Sequence, residues 1–126
     1  MARYLLDTHL IYGWMTNDSE LGKPLQRLIA RADVMVSTAS LWEMVLKNAK
    51  GKLPLPDGAL DAHIGAAGFT VLPILPRHIE AARALRCRHA DPFDRLLIAQ
   101  AVSEQLIFLT RDAALLALKL DGVEGR

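Results

Sequence analysis

The chain has 126 residues, which is enough for one hydrophobic core and too few for two independent domains. A hydrophobic fraction of 52% and a charged fraction of 23% are typical of folded proteins and exclude intrinsic disorder. The formal net charge is only +1, so a polyanionic partner would have to bind a local cluster of positive charge.

The apolar patterns predict, in chain order, a strand at 3–6, helices at 9–16 and about 18–32, a strand at 34–37, helices at 37–51 and 59–67, a strand at 70–75, helices at 77–88 and 92–104, a strand at 106–110 and a last helix from 112. Pro24 falls in the first turn of its helix, where a missing N–H is tolerated, and Pro73 suits an edge strand or a strand end. Ser40 and Glu43 have the spacing of a helix capping box, and Asp91, which precedes a proline, is a typical helix start.

Strands and helices therefore alternate along the whole chain. That order predicts parallel strands joined by helical crossovers, which is an α/β fold of three layers with helices on both faces of a central sheet. We find no internal repeat, low-complexity segment or linker, so we expect a single domain spanning residues 1–126.

The cysteine content and the hydropathy pattern limit the cellular setting. Cys87 is the only cysteine, so neither an internal disulfide nor a cysteine-based metal cluster can form. No segment approaches the roughly 20 apolar residues of a membrane span, and Asp7 interrupts the apolar run that a secretory signal would need. We expect a cytoplasmic protein that does not associate with a membrane.

Four acidic residues are predicted to lie where the carboxyl ends of the strands meet. Asp7 ends the first strand, Glu43 lies in the helix after the second, Asp94 opens the helix at 92–104, and Asp112 follows the fourth strand. In an open α/β sheet, ligands bind in the crevice at this edge. We therefore take these four carboxylates as the candidate catalytic set, with Asp91 as an additional acidic neighbour.

Each of these acids also has a purely structural interpretation. Asp7 can end a strand, Glu43 can complete the capping box, and Asp91 and Asp112 can cap helices with Asp94 as a favourable first-turn charge. Four carboxylates in one crevice repel one another, however, unless a cation or raised pKa values relieve the repulsion. A hard divalent cation such as Mg²⁺, or Mn²⁺, prefers such oxygen ligands, and it can promote hydrolysis of a phosphodiester.

Other catalytic classes have less support in the sequence. It contains no glycine-rich phosphate loop of the GxxxxGK type, no GxSxG motif and no cysteine–histidine arrangement. Basic residues close to the predicted acids favour a nucleic-acid substrate, although a solvated helix face would have the same composition. The candidates for RNA contact are Lys47, Lys50, Lys52, Arg86, Arg88 and Arg95.

Four motifs occur in one order along the chain: LLDTH, S-x-x-S-x-W-E-x-x-x-K followed by GKL, HADPFDRLLIAQA, and T-x-D. Together they resemble PIN-domain proteins, specifically the VapC-type toxin ribonucleases of bacterial toxin–antitoxin pairs, over residues 4 to about 115. The resemblance implies a PIN fold whose parallel sheet has four to five strands. Whether a fifth strand forms is left undecided, because the tail after T-x-D lacks the aromatic residue common in the family.

The resemblance also implies a function, which is metal-dependent endonucleolytic cleavage of RNA. It implies inhibition by a cognate antitoxin protein and assembly as a homodimer. Asp7, Glu43, Asp94 and Asp112 occupy the positions of the family's acidic residues, and Thr110 would be a polar neighbour of the site. We assign Asp7, Asp94 and Asp112 as Mg²⁺ (or Mn²⁺) ligands and Glu43 as the residue that holds or activates water.

Two other functions stay open at this stage. The first is a non-enzymatic, receiver-like signalling module, which would need an acidic pair where this chain has Asp7 and Thr8, and a lysine after a late strand, where Lys119 is poorly placed. The second keeps the PIN fold but uses it to bind RNA or antitoxin with little turnover. Loss of cleavage in acidic-site variants would distinguish an enzyme from both.

Overall fold

The computed structural model describes residues 2–87 and 91–125. Its elements are β1 (Arg3–Leu6), α1 (Thr8–Met15), a short 3-10 helix (Ser19–Leu21), α2 (Lys23–Arg31), β2 (Asp33–Ser37), α3 (Thr38–Ala49), α4 (Leu60–Ala66), β3 (Thr70–Leu72), α5 (Pro76–Ala84), α6 (Pro92–Glu104), β4 (Ile107–Thr110), α7 (Ala113–Ala117) and β5 (Val123–Gly125). The strands form one sheet in the order β3-β2-β1-β4-β5. The pairings of β1 with β2 and β4, of β2 with β3 and of β4 with β5 are all parallel.

The central strand β1 places apolar side chains on both faces of the sheet. Leu6 belongs to one buried cluster, which also contains side chains of α1, α2, α3 and α4, whereas Leu5 belongs to a second cluster with side chains of α6, α7 and β4. Consecutive strand residues point to opposite faces, so two fully buried leucines in succession require helices on both sides. The predicted three-layer α/β fold is confirmed.

The strand order also decides against one alternative. A receiver-like module has the order β2-β1-β3-β4-β5, in which β1 lies between β2 and β3. In this chain β1 lies between β2 and β4, and β3 is at the edge of the sheet. The receiver-like interpretation is therefore wrong.

The third strand and the helix after it both end earlier than predicted, and the question of a fifth strand is answered. The third strand ends at Leu72, directly before Pro73, and lies at the sheet edge, as a proline there favours. The tail forms β5, which pairs with β4 and packs Val123 against the second cluster, so the sheet has five strands although the tail lacks an aromatic residue. Helix α5 ends at Ala84, earlier than predicted.

The helix predicted for residues 18–32 is divided in two. Asp18 caps the 3-10 helix by accepting a hydrogen bond from the Glu20 N–H, and Gly22 then adopts φ +80° before α2 begins. This positive φ is outside the helical region and suits glycine, so the helix cannot run through it. Pro24 lies in the first turn of α2, as predicted.

The predicted capping box at Ser40 and Glu43 is wrong. Helix α3 begins at Thr38, within the predicted range and before Ser40, and its N-cap is Ser37, whose Oγ accepts a hydrogen bond from the Ala39 N–H at 3.0 Å. Ser40 is fully buried within the helix. The side chains of Ser40 and Glu43 do not bond to the helix start but contact Thr8, which is distant in the sequence.

Along residues 2–87 and 91–125, none of the helices combines the length and apolar character needed to cross a bilayer.

Candidate active site

The topology brings three of the predicted acidic residues, Asp7, Glu43 and Asp112, to the edge of the sheet at the carboxyl end of β1. Asp7 follows β1 directly, and its N–H donates to the Leu109 carbonyl at 2.9 Å, which extends the pairing with β4. The end of β4 provides Thr110 and leads to Asp112, while the end of β2 leads into α3, which carries Glu43. The two strands adjacent to β1 therefore bring their following residues to one edge of the sheet.

Asp7 is buried at the base of this site, with only 3% of its surface exposed. It holds the N-cap position of α1, yet its side chain makes no capping hydrogen bond. Instead, Asp7 Oδ2 accepts a hydrogen bond from Thr110 Oγ1 at 2.6 Å. Asp7 does end the strand, but its carboxylate does not cap α1 and is bonded to the end of β4 instead.

Thr110 connects Asp7 to Asp112. Its hydroxyl oxygen accepts a hydrogen bond from the Asp112 N–H at 3.0 Å while it donates to Asp7. Asp112 Oδ1 accepts from the N–H groups of Ala114 and Leu115 and so caps α7. This cap engages a single carboxylate oxygen, which leaves Oδ2 outside the capping bonds.

Glu43 is held by two side chains, Thr8 and Lys47. Thr8 Oγ1 donates to Glu43 Oε1 at 2.7 Å and lies 3.0 Å from Ser40 Oγ. Lys47 Nζ forms an ion pair with Glu43 Oε2 at 3.2 Å. Both carboxylate oxygens are therefore oriented, and Glu43 is buried at 9% exposure. Thr8 and Ser40 were not predicted as site residues, although both lie inside the motifs that carry the family resemblance.

Asp91 and Asp94 differ in their contacts. Asp91 Oδ1 accepts hydrogen bonds from the N–H groups of Phe93 at 2.9 Å and Asp94 at 3.1 Å, which makes Asp91 the cap of α6. The cap and the following proline start the helix at the predicted residue. Asp94 lies half-buried in the first turn of α6, and this helix packs against α3, β1 and β4.

The electrostatics of the site are dominated by the burial of Asp7. Desolvation raises the pKa of the Asp7 carboxyl above its usual range, and the negative charge of Glu43 adds to this effect. The hydrogen bond from Thr110, the charge of His9 and the Thr8 N–H oppose the rise without cancelling it. The side chains around Asp7 therefore leave its negative charge only partly compensated.

The donor set fits a hard divalent cation in its chemistry, because the groups at this edge are carboxylate and hydroxyl oxygens. A cation beside Asp7 would supply the compensation that the chain itself lacks. Within the described part of the chain, no three His, Cys, Asp or Glu side chains are already close enough together to hold a metal ion. The acids are instead linked through hydroxyl groups, with Thr110 between Asp7 and Asp112 and Thr8 beside Glu43.

The predicted RNA-contact residues fall into distinct environments. Lys50, Lys52 and Arg86 are exposed, whereas Lys47 is paired with Glu43. Arg95 donates to the carbonyls of residues 85 and 87 at 3.2 and 2.8 Å, which fixes the segment after α5. Arg88 lies outside the described residues.

The sequence and structure were compared with known proteins. The family model of the PIN domain matches residues 4–119. No curated protein matches this chain by sequence.

Three solved structures are similar to the chain over nearly its full length. A VapBC2 complex from Rickettsia felis bound to a DNA fragment from its promoter matches with a TM-score of 0.65 at 13% identity, covering 98% of both chains. A toxin–antitoxin complex from Klebsiella pneumoniae matches with a TM-score of 0.65 at 21% identity, covering 96% of this chain and 95% of the other. DNA-bound VapBC from Salmonella typhimurium matches with a TM-score of 0.64 at 15% identity, covering 100% and 98%.

Proposed function

We propose that this chain, which belongs to the PIN domain family, is a divalent-metal-dependent endoribonuclease that acts as the toxin of a toxin–antitoxin pair. The observation that carries the proposal is the buried, incompletely compensated Asp7, which is bonded to Thr110 and lies next to Thr8, the residue that holds Glu43. Burial of a carboxylate without a matching cation destabilises a fold, so such an arrangement points to a functional role.

In this proposal Asp7, Asp94 and Asp112 would hold Mg²⁺ or Mn²⁺, which would supply Lewis acidity to a phosphodiester. Thr110 fixes the orientation of Asp7 through its 2.6 Å hydrogen bond and the position of Asp112 through its backbone. Asp91 caps α6 and so sets the first turn that carries Asp94.

Glu43 is the proposed acceptor of the proton from the attacking water. Thr8 holds one of its oxygens and Lys47 the other, so the carboxylate is fixed at the edge of the crevice. A base held in one orientation avoids the entropy loss of finding the productive geometry during the reaction.

RNA is the proposed substrate because exposed cations lie on the segments that follow α3 and precede α6, the two helices that carry Glu43 and Asp94. Lys50 and Lys52 follow α3, and Arg86 follows α5. Such residues neutralise backbone phosphates without reading the sequence, which predicts strongly salt-dependent RNA binding. An RNA substrate also favours action in the cytoplasm.

The proposed protein partners are a cognate antitoxin and a second copy of the chain. The structural neighbours are toxin–antitoxin complexes, which supports the first partner. The homodimer rests on the family resemblance.

The decisive experiment compares RNA cleavage by wild type, Asp7→Asn and Asp94→Asn, each with EDTA, Mg²⁺ or Mn²⁺. We expect cleavage by wild type only when the metal is present, and a loss on the order of 100-fold or more in both variants. Asp57→Asn is the matched control, since Asp57 is an exposed loop residue and its substitution removes the same charge. Equal cleavage by all four proteins would show that the carboxylates are not the active site.

A further inference from the structure

A second group of buried polar side chains lies at the start of α3, where the helix meets α6, and has no part in the proposed reaction. It consists of Ser37, His78 and Gln100, each with no exposed surface. These residues come from the end of β2, from α5 and from α6. Burying three polar side chains is costly unless they bond to one another, so their arrangement requires an explanation.

The hydrogen bonds of this group form one continuous path. The Leu75 N–H donates to His78 Nδ1 at 3.0 Å, so Nδ1 carries no proton and Nε2–H donates to Glu104 Oε2 at 3.0 Å. Gln100 Nε2 lies 3.3 Å from the same Nδ1. Gln100 Oε1 accepts from Ser37 Oγ at 2.5 Å. The path therefore runs from Glu104 at the end of α6 to Ser37.

Ser37 is the point at which this path meets the active-site helix. Its hydroxyl donates its only proton to Gln100, and its oxygen accepts from the Ala39 N–H as the N-cap of α3. Helix α3 then places Ser40 and Glu43 within hydrogen-bonding distance of Thr8. The start of the helix is thus bonded to α6, while its next turn faces the end of β1.

We propose that Gln100 and His78 are positioning residues for the active site. By fixing the Ser37 hydroxyl, they set the direction in which α3 leaves the sheet, and that direction brings Glu43 to Thr8. The inference rests on the proposed nuclease function for its kinetic consequences. A displacement of about 1 Å at a reacting group can cost up to roughly 100-fold in rate, so small rotations of α3 are sufficient.

A purely stabilising network makes a different prediction. It would lower the melting temperature when broken and leave the turnover number of the folded protein unchanged. Gln100→Met removes the contacts of the Gln100 amide with Ser37, His78 and the Pro73 carbonyl at similar side-chain length. Ser37→Ala removes the other end of the Ser37–Gln100 bond together with the capping bond from the Ala39 N–H. Because the two changes share the Ser37–Gln100 bond, the loss of kcat in the double variant should be smaller than the product of the two single losses.

The experiment measures kcat, KM for RNA and Tm for wild type, Gln100→Met, Ser37→Ala and the double variant. We expect kcat to fall on the order of tenfold with KM within about twofold, and the two losses to be non-additive. Ile29→Val is the control, since Ile29 lies in the core on α2 and its truncation lowers Tm without touching the path. If Gln100→Met has wild-type kcat, the positioning role is refuted and the proposed function is unaffected.

A second measurement keeps the inference testable if wild type cleaves no RNA. Backbone amide NMR signals of Thr8 and Ser40, recorded without substrate, report the contact between α3 and the end of β1. We expect them to shift in Gln100→Met and to stay in place in Ile29→Val. Unchanged signals in Gln100→Met would overturn the inference independently of any activity.

Discussion

Asp7→Asn should make the protein more stable at neutral pH while abolishing cleavage. The substitution removes a buried negative charge and keeps a carbonyl oxygen that can accept the hydrogen bond from Thr110. Because burial raises the pKa of Asp7, the folded state binds a proton at this carboxyl more tightly than the unfolded state does. The ionised carboxylate therefore costs folding free energy at pH 7.

The expected gain in stability is modest and depends on pH. A single stabilising substitution of this kind, which removes an uncompensated buried charge, commonly raises the free energy of unfolding by about 0.5–2 kcal/mol. Each kcal/mol corresponds to roughly 3–5 °C in Tm for a chain of this length. A raised folded-state pKa means that the contribution of Asp7 to wild-type stability is fully present below the unfolded value of 3.8 and is lost as pH rises through the folded value. The advantage of Asp7→Asn should consequently be present at pH 7 and shrink as the pH approaches 4.

The assay is thermal unfolding of wild type and Asp7→Asn in EDTA across this pH range, with Asp57→Asn as the matched charge control. Added Mn²⁺ should reverse the order, because binding at about 100 times Kd stabilises the wild type by roughly 2.7 kcal/mol and the variant binds the ion weakly. If Asp7→Asn is less stable than wild type at pH 7 without metal, the charge is already compensated within the chain. The argument for a cation at this site would then fail.

Three further predictions follow from individual contacts. Thr110→Val removes both hydrogen bonds of the hydroxyl and should lower the free energy of unfolding by about 2 kcal/mol in urea denaturation, whereas Thr110→Ser should retain most of it. Asp91→Ala should lower the free energy of unfolding by about 1 kcal/mol and keep the cleavage rate within a few-fold of wild type. Asp94→Ala should affect the cleavage rate more than the stability. Melting and cleavage assays that gave the reverse order would contradict this division. Hydrogen bonds from Arg77 and His78 lower the pKa of Glu104 from 4.5 to about 2. Their contribution to the free energy of unfolding should therefore be present above pH 4.5 and lost as the pH falls towards 2, and this pH-dependent loss should be absent in Glu104→Gln.

Those parts of the fold that depend on local signals could be predicted from the sequence. Helix α6 begins at Pro92 and ends at Glu104 as predicted, because a capping aspartate and a proline determine its start within three residues. The alternation of apolar segments likewise predicted the parallel sheet. The break at Gly22 had a signal as well, since a glycine before Lys23-Pro24 suits a helix boundary, but the apolar pattern on both sides concealed it.

Contacts between distant residues could not be predicted in this way. Ser40 and Glu43 have capping-box spacing, yet both side chains bond to Thr8, more than 30 residues earlier in the chain. The path from His78 to Ser37 joins three elements that no local pattern relates. Sequence spacing identifies which residues share a helix face, but only packing determines which other element that face meets.

At this edge of the sheet, the same aspartate can cap a helix and also serve as a candidate metal ligand. A cap needs one carboxylate oxygen directed at backbone N–H groups, and a carboxylate has two oxygens. Asp112 caps α7 through Oδ1 alone, so its cap holds the side chain rigidly while Oδ2 is not used by the cap. In α6 the two roles are separated, with Asp91 as the cap and Asp94 one turn further on. A ligand fixed by its own helix start loses little side-chain entropy on binding an ion, which explains why capping motifs and candidate ligands coincide here.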